Sequence, residues 1–158
     1  MSGDARFEDG GEGPLRLKAE DADDLPVISA LVQDAVFPAA EMKWDRRRRR
    51  FALLLNRFRW EDLPAAERGG RAPERARALL VVSDVTGVAS QGVDPADGQM
   101  VLSLLSLGWE PGEDGTGRLV LTLSGDGAIR LDAECLDLTL TDVTRPYAAP
   151  SRRAPSHD

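Results

Sequence analysis

Histidine and cysteine occur once each in the 158 residues, and lysine only at Lys18 and Lys43. The histidine is His157, next to last in the chain. A serine or cysteine nucleophile needs an imidazole held against it, so Ser-His-Asp and Cys-His catalysis are excluded. A transition-metal site has too few nitrogen and sulfur ligands to assemble. Cys135 has no second cysteine to bridge, which fits a reducing, cytoplasmic compartment. Long apolar runs are missing too. The longest, at 51–55 and 78–82, are five residues each, whereas a membrane-spanning helix needs roughly 20. No basic stretch followed by an apolar one opens the chain, so no secretory signal is read. Glycines pair at Gly10-Gly11 and Gly69-Gly70 without a phosphate-cradling pattern around them. No cofactor is expected on that basis.

What is present suits one soluble domain. Apolar residues make up 42% of the chain, enough for a single core, and charged residues 30%. The net charge of −7 conceals a pattern. Residues 1–45 carry −7, residues 46–77 carry +7, residues 78–144 carry −9 and the tail +2. A basic segment between acidic ones speaks of partners or internal pairing, not of fold.

Periodicity supplies the architecture. Residues 1–14 are acidic, Gly-rich and aperiodic, and are expected to be disordered. Residues 15–18 alternate like a short strand. Leu25, Ile28, Leu31, Val32 and Ala35 then recur at helical spacing, with Asp21 or Asp23 as the capping residue. From Met42 the signals are β. Met42 and Trp44 share a face. Ala52, Leu54, Asn56, Phe58 and Trp60 line one side of a long strand, and Phe51, Leu53 and Leu55 line the other, which turns polar at Arg57 and Arg59. That strand is expected to be buried on both faces early and on one face late. Residues 63–78 read as a mobile loop. Strands at 79–83 and 88–93 flank a bend at 84–87, and residues 100–109, apolar on both faces, read as a central strand. Asp126-Gly127 marks a hairpin between strands at 118–124 and 128–134. Beyond it the inward positions change phase, from Ile129 and Leu131 to Leu136, Leu138 and Leu140. A strand's faces strictly alternate, so a bulge or corner is required at Cys135-Leu136. Cys135 is expected to be a small buried residue there. The resulting organisation is a single domain at 15–145 with a flexible tail at 146–158. Its fold class is α+β, a mostly antiparallel, strongly bent sheet or open barrel with one helix near the N-terminus, a pleckstrin-homology-like roll being one candidate.

Two groups of residues could carry chemistry. Asp132, Glu134, Asp137 and Asp142 lie near the hairpin's exit, where a pair on one face could act as acid and base. Alternate acids on a strand are more often its solvated face. The other group is the arginine run, Arg46, Arg47, Arg48, Arg49 and Arg50, with Trp44 before it and Arg57, Arg59 and Trp60 after it. Guanidiniums interleaved with rings suit a phosphate or single-stranded nucleic-acid surface. The bland alternative is a hairpin connection whose arginines pair with the flanking acids. A domain acidic overall is also a poor nucleic-acid binder by its long-range field.

Residues 56–61 (Asn56, Arg57, Phe58, Arg59, Trp60, Glu61), with 101–107 and 127–136, resemble a bacterial family described only as domain of unknown function 2948. The resemblance covers about residues 15–146 and implies no activity, cofactor or catalytic residue. The expected function is a non-enzymatic binding or regulatory module that contacts another protein through Trp44, the arginine run, Arg57, Arg59 and Trp60. Nucleic-acid or phosphate-ligand binding through the same arginines is the second reading, and a carboxylate enzyme the third. No membrane partner is expected, and the oligomeric state is not legible.

Overall fold

The computed structural model describes residues 14–94, 96–149 and 155. Strand β1 (Arg16–Ala19) leads into helix α1 (Leu25–Leu31). Pro26 sits in the helix's first turn, where its missing N–H breaks no bond. Asp24 is the capping position, and Asp21 instead accepts the backbone N–H groups of Asp23 and Asp24. Leu25, Ile28 and Leu31 form the buried stripe.

Ten strands and a second helix follow: β2 (Val36–Pro38), β3 (Met42–Asp45), β4 (Arg50–Phe58), α2 (Leu63–Arg68), β5 (Glu74–Val82), β6 (Val85–Gln91), β7 (Val101–Pro111), β8 (Gly117–Leu123), β9 (Ala128–Ala133), β10 (Leu138–Asp142) and β11 (Tyr147–Ala148). They pair antiparallel in the order β1-β10-β5-β4-β2-β7-β8-β9-β6, with β3 also on β4 and β11 also on β5. The sheet is bent and does not close, so the fold is α+β as expected. The short strand β2 joins its halves. It meets β4 at a single position, Val36 opposite Asn56, and β7 at three. Both halves line one core. Leu53, Leu55, Leu80 and Leu140 come from one, and Leu104, Leu119, Leu121 and Leu131 from the other. Neither helix is long and apolar enough to cross a membrane.

The corner expected at Cys135-Leu136 is present. Strand β9 pairs with β8 and β6, whereas β10 pairs with β5 and β1, so residues 134–137 carry the chain from one half to the other. Cys135 is nonetheless exposed, because the corner turns its side chain outward, where its Sγ–H donates to Asp84. The hairpin also forms, one residue earlier than the dipeptide suggested: Gly125 and Asp126 take the positive φ values, 71° and 64°.

Three other expectations change. The loop expected at 63–78 contains α2 and the first half of β5, because Pro64 starts a helical turn and Arg71 anchors it to Asp62. The tail expected from 146 begins inside the fold. Tyr147 and Ala148 pair with β5, and buried Ala149 donates its N–H to Pro73. A two-residue strand leaves no periodic trace. Finally, β4 is buried in the reverse sense. Its early outer face, Ala52 and Leu54, is half-exposed, and its end, Arg57 and Phe58 with Arg59 just beyond, is buried throughout. Residues 1–13, expected to be disordered, lie outside the described residues.

Candidate functional site

The residues singled out by sequence fall into two places. Arg46, Arg47, Arg48 and Arg49 form the loop between β3 and β4, closed by Asp45 opposite Arg50, and all five arginines are exposed. Arg49 has φ 55°, a left-handed conformation that side chains disfavour. Its surroundings hold it there: the Arg49 carbonyl accepts the Val85 N–H at 2.9 Å, and its guanidinium pairs with Glu134. Asp45 accepts the Arg48 N–H at 3.1 Å. Among the described residues Arg46, Arg47 and Arg50 make no ion pair. The loop is therefore a shaped cationic tip on a fixed hairpin.

The rings do not join it. Trp44 lies opposite Phe51 on the core-facing side of the hairpin, half-buried against the core. Phe58 and Trp60 pack edge-to-face at 4.6 Å between centroids, and Trp60 Nε1 donates to the Gln33 carbonyl at 2.9 Å. The expected interleaving of arginines and rings on one surface is not formed, so no stacking platform accompanies the charge.

Arg57 and Arg59 are interior, 0% and 1% exposed, which removes them from the expected contact surface. The physical reason lies in the acids around them. Arg57 Nε donates to Asp142 Oδ1 at 2.8 Å and Nη2 to Asp142 Oδ2 at 2.9 Å. Its Nη1 and Nη2 also reach Glu61 at 2.9 and 2.7 Å. Arg59 pairs with Glu74 and lies 3.5 Å from Asp62, whose carboxylate takes a forked pair from Arg71 at 2.8 and 2.9 Å. A charge in the interior is tolerated only when paired and hydrogen-bonded. Arg57 meets both conditions, and Arg59 is paired with Glu74, Asp62 and Glu61, its Nε reaching Glu61 only at 3.7 Å. Burial works to lower the Arg57 pKa, but the bonds it donates to Asp142 and Glu61 outweigh that and hold the guanidinium above its usual value. Asp62 is held below the usual carboxylate range, chiefly by Arg71.

An open cleft of about 710 Å³ borders this cluster, lined by Pro14, Arg59, Glu74, Asp142, Thr144 and Arg145 among others. Its buried charges are committed to one another, Arg59 to Glu74 and Asp142 to Arg57. A polar ligand entering would compete with existing pairs.

The acids near the hairpin's exit do not come together as an acid–base pair. Asp132 pairs with Arg118, Glu134 with Arg49, Asp137 with Lys18 and Asp142 with Arg57. Four acids have four different cationic partners. Among the described residues no cluster of histidine, cysteine and acids is placed to hold a metal. Sequence reasoning missed Glu61, Asp62, Arg71 and Glu74 as partners. Glu61 stands four residues after Arg57 and Asp62 three after Arg59, so that much was readable.

Fold and site together define an α+β protein with an open, bent antiparallel sheet, an exposed arginine tip and a buried ion cluster. The chain belongs to a family described as a protein of unknown function (DUF2948), whose model matches residues 15–157. No curated protein and no solved structure matches it.

Proposed function

We propose that the protein is a non-enzymatic binding module of the cytoplasm, acting by contact with another protein through the arginine tip. One observation carries this reading: Arg46, Arg47 and Arg50 stand exposed on a conformationally fixed loop and form no ion pair among the described residues. A rigid tip has little entropy to lose on docking, and guanidiniums suit carboxylates on a partner. The separate pairing of Asp132, Glu134, Asp137 and Asp142 speaks against the carboxylate enzyme. The inward-turned rings weigh against nucleic acid.

The test replaces Arg46, Arg47 and Arg48 with serine, sparing the buried Arg57 and Arg59. Cross-linked complexes purified from native cells are expected to lose partners that the unaltered chain retains, at unchanged thermal stability. An identical partner list overturns the reading. Salt-dependent retention on RNA or heparin, abolished by the same substitutions, would establish the phosphate-binding alternative instead.

A further inference from the structure

The outer face of the sheet half β1-β10-β5-β4-β3 has a composition that the arginine tip does not explain. Residues opposite one another on paired strands point to the same side, so the registers can be followed across the strands. One row runs Lys18, Thr139, Val81, Ala52, Lys43. The next runs Arg16, Thr141, Leu79, Leu54. In both, aliphatic side chains stand on β5 and β4; bases end the first row on both sides and the second on the Arg16 side. A third row places Arg77 opposite Asn56 and Asn56 opposite Val36. There a groove of about 430 Å³ extends the aliphatic strip past Leu54 and Pro38 to Val101, which is 67% exposed.

Ala52, Leu54, Leu79 and Val81 are all partly exposed. The helices pack elsewhere, α1 against β7 and β1 and α2 against the Trp60–Asp62 turn. A solvated face of an antiparallel sheet normally carries polar side chains at such positions, and a contiguous apolar patch with a polar rim marks a contact surface. The rim has one dominant sign. Arg16, Lys18, Lys43, Arg50 and Arg77 share this side with Asp45, and Lys18 ion-pairs with Glu20 and Asp137 at its edge, in a chain whose net charge is −7.

We infer that this face docks an acidic amphipathic helix of a partner protein, laid along β5 and β4. The dimensions agree. Strands lie about 4.8 Å apart, so the bases on β1 and β3 flank the aliphatic centre at roughly 5–10 Å on either side. A helix about 10 Å across fills that width, with its aliphatic stripe on Leu54, Leu79 and Val81 and its acidic flanks over Arg16 and Lys18 on one side and Lys43 on the other. The centre is aliphatic rather than aromatic, which favours a protein segment over stacked bases. This surface goes beyond the arginine tip, with which it shares only Arg50.

The test is a titration of the isotope-labelled full chain, followed by amide NMR shifts, with an 18-residue helical peptide bearing a leucine stripe flanked by glutamates. Saturable shifts are expected in residues 50–56 and 77–82. Both Leu54→Ser and the pair Arg16→Glu/Lys43→Glu should weaken binding at least tenfold. All three positions are at least partly exposed, and unchanged circular dichroism checks that the fold is kept. Replacing Arg46, Arg47 and Arg48 with serine should leave this affinity within twofold, which separates the face from the tip. Equal binding of a lysine-flanked peptide overturns the proposal. So do shifts confined to residues 46–49, stronger binding of oligo(dT) on the same strands, self-association through this face in sedimentation, or no saturable shift.

Discussion

Arg57 and Asp142, 85 residues apart in sequence, meet as a two-pronged ion pair, Nε to Oδ1 at 2.8 Å and Nη2 to Oδ2 at 2.9 Å, in the interior of the protein. The same guanidinium holds Glu61, so one side chain ties the end of β4 to the turn beyond it and to the end of β10.

Removing that guanidinium takes the counter-charge from buried Asp142 and leaves buried Glu61 with only the more distant Arg59, at 3.7 Å. Arg57→Ala is expected to destabilise the fold by about 3–5 kcal/mol, the usual effect of breaking a buried pair from one side. Arg57→Lys keeps the charge but loses the fork, and should fall between the two. Urea denaturation midpoints check both, and an unchanged midpoint for Arg57→Ala would contradict the role assigned to the cluster.

Asp62 gives the cluster a pH dependence. Its folded pKa lies below the unfolded value, mainly through the bond from Arg71. Its contribution is therefore complete above the unfolded pKa, about 4, and is lost as pH falls through the lower folded value. Unfolding free energy measured across the acid range should decline less steeply in Asp62→Asn than in the unaltered chain. Equal slopes would remove Asp62 from the account.

Cys135 should react slowly despite its exposure. The bond to Asp84, and secondarily its desolvation, raise the thiol pKa, which depletes the nucleophilic thiolate at neutral pH. Alkylation by iodoacetamide is expected to be slower than for a small-molecule thiol, and faster in Asp84→Asn. Asparagine tolerates the positive φ of 58° at that position, so the turn is kept. No acceleration in that variant would refute the assignment.

Local signals were the legible part of the structure. The shared face of Met42 and Trp44, the hairpin near Asp126 and the corner at Cys135-Leu136 all follow from the two-residue period and from turn chemistry. Helix α2 was masked by the Pro, Gly and Arg content around it, and β11 was too short to show a period. At the candidate site, the exposed tip could be read from five consecutive arginines. The burial of Arg57 and Arg59 could not, because alternation with Phe58 and Trp60 looks the same on a solvated face as on one closed by acids.

The sequence by itself determined which residues share the faces of the hairpin strands, and placed the turn near Asp126 and the corner at Cys135-Leu136. Only the tertiary structure decided which arginines meet water and which meet acids. Glu61 and Asp62 are local to Arg57 and Arg59, but Asp142 and Glu74 arrive through the pairing of β10 and β4 with β5. A guanidinium is stable in the interior only when those distant carboxylates have been brought to it. The fate of each arginine was thus set by strand pairing, a long-range outcome that no window of the sequence contains.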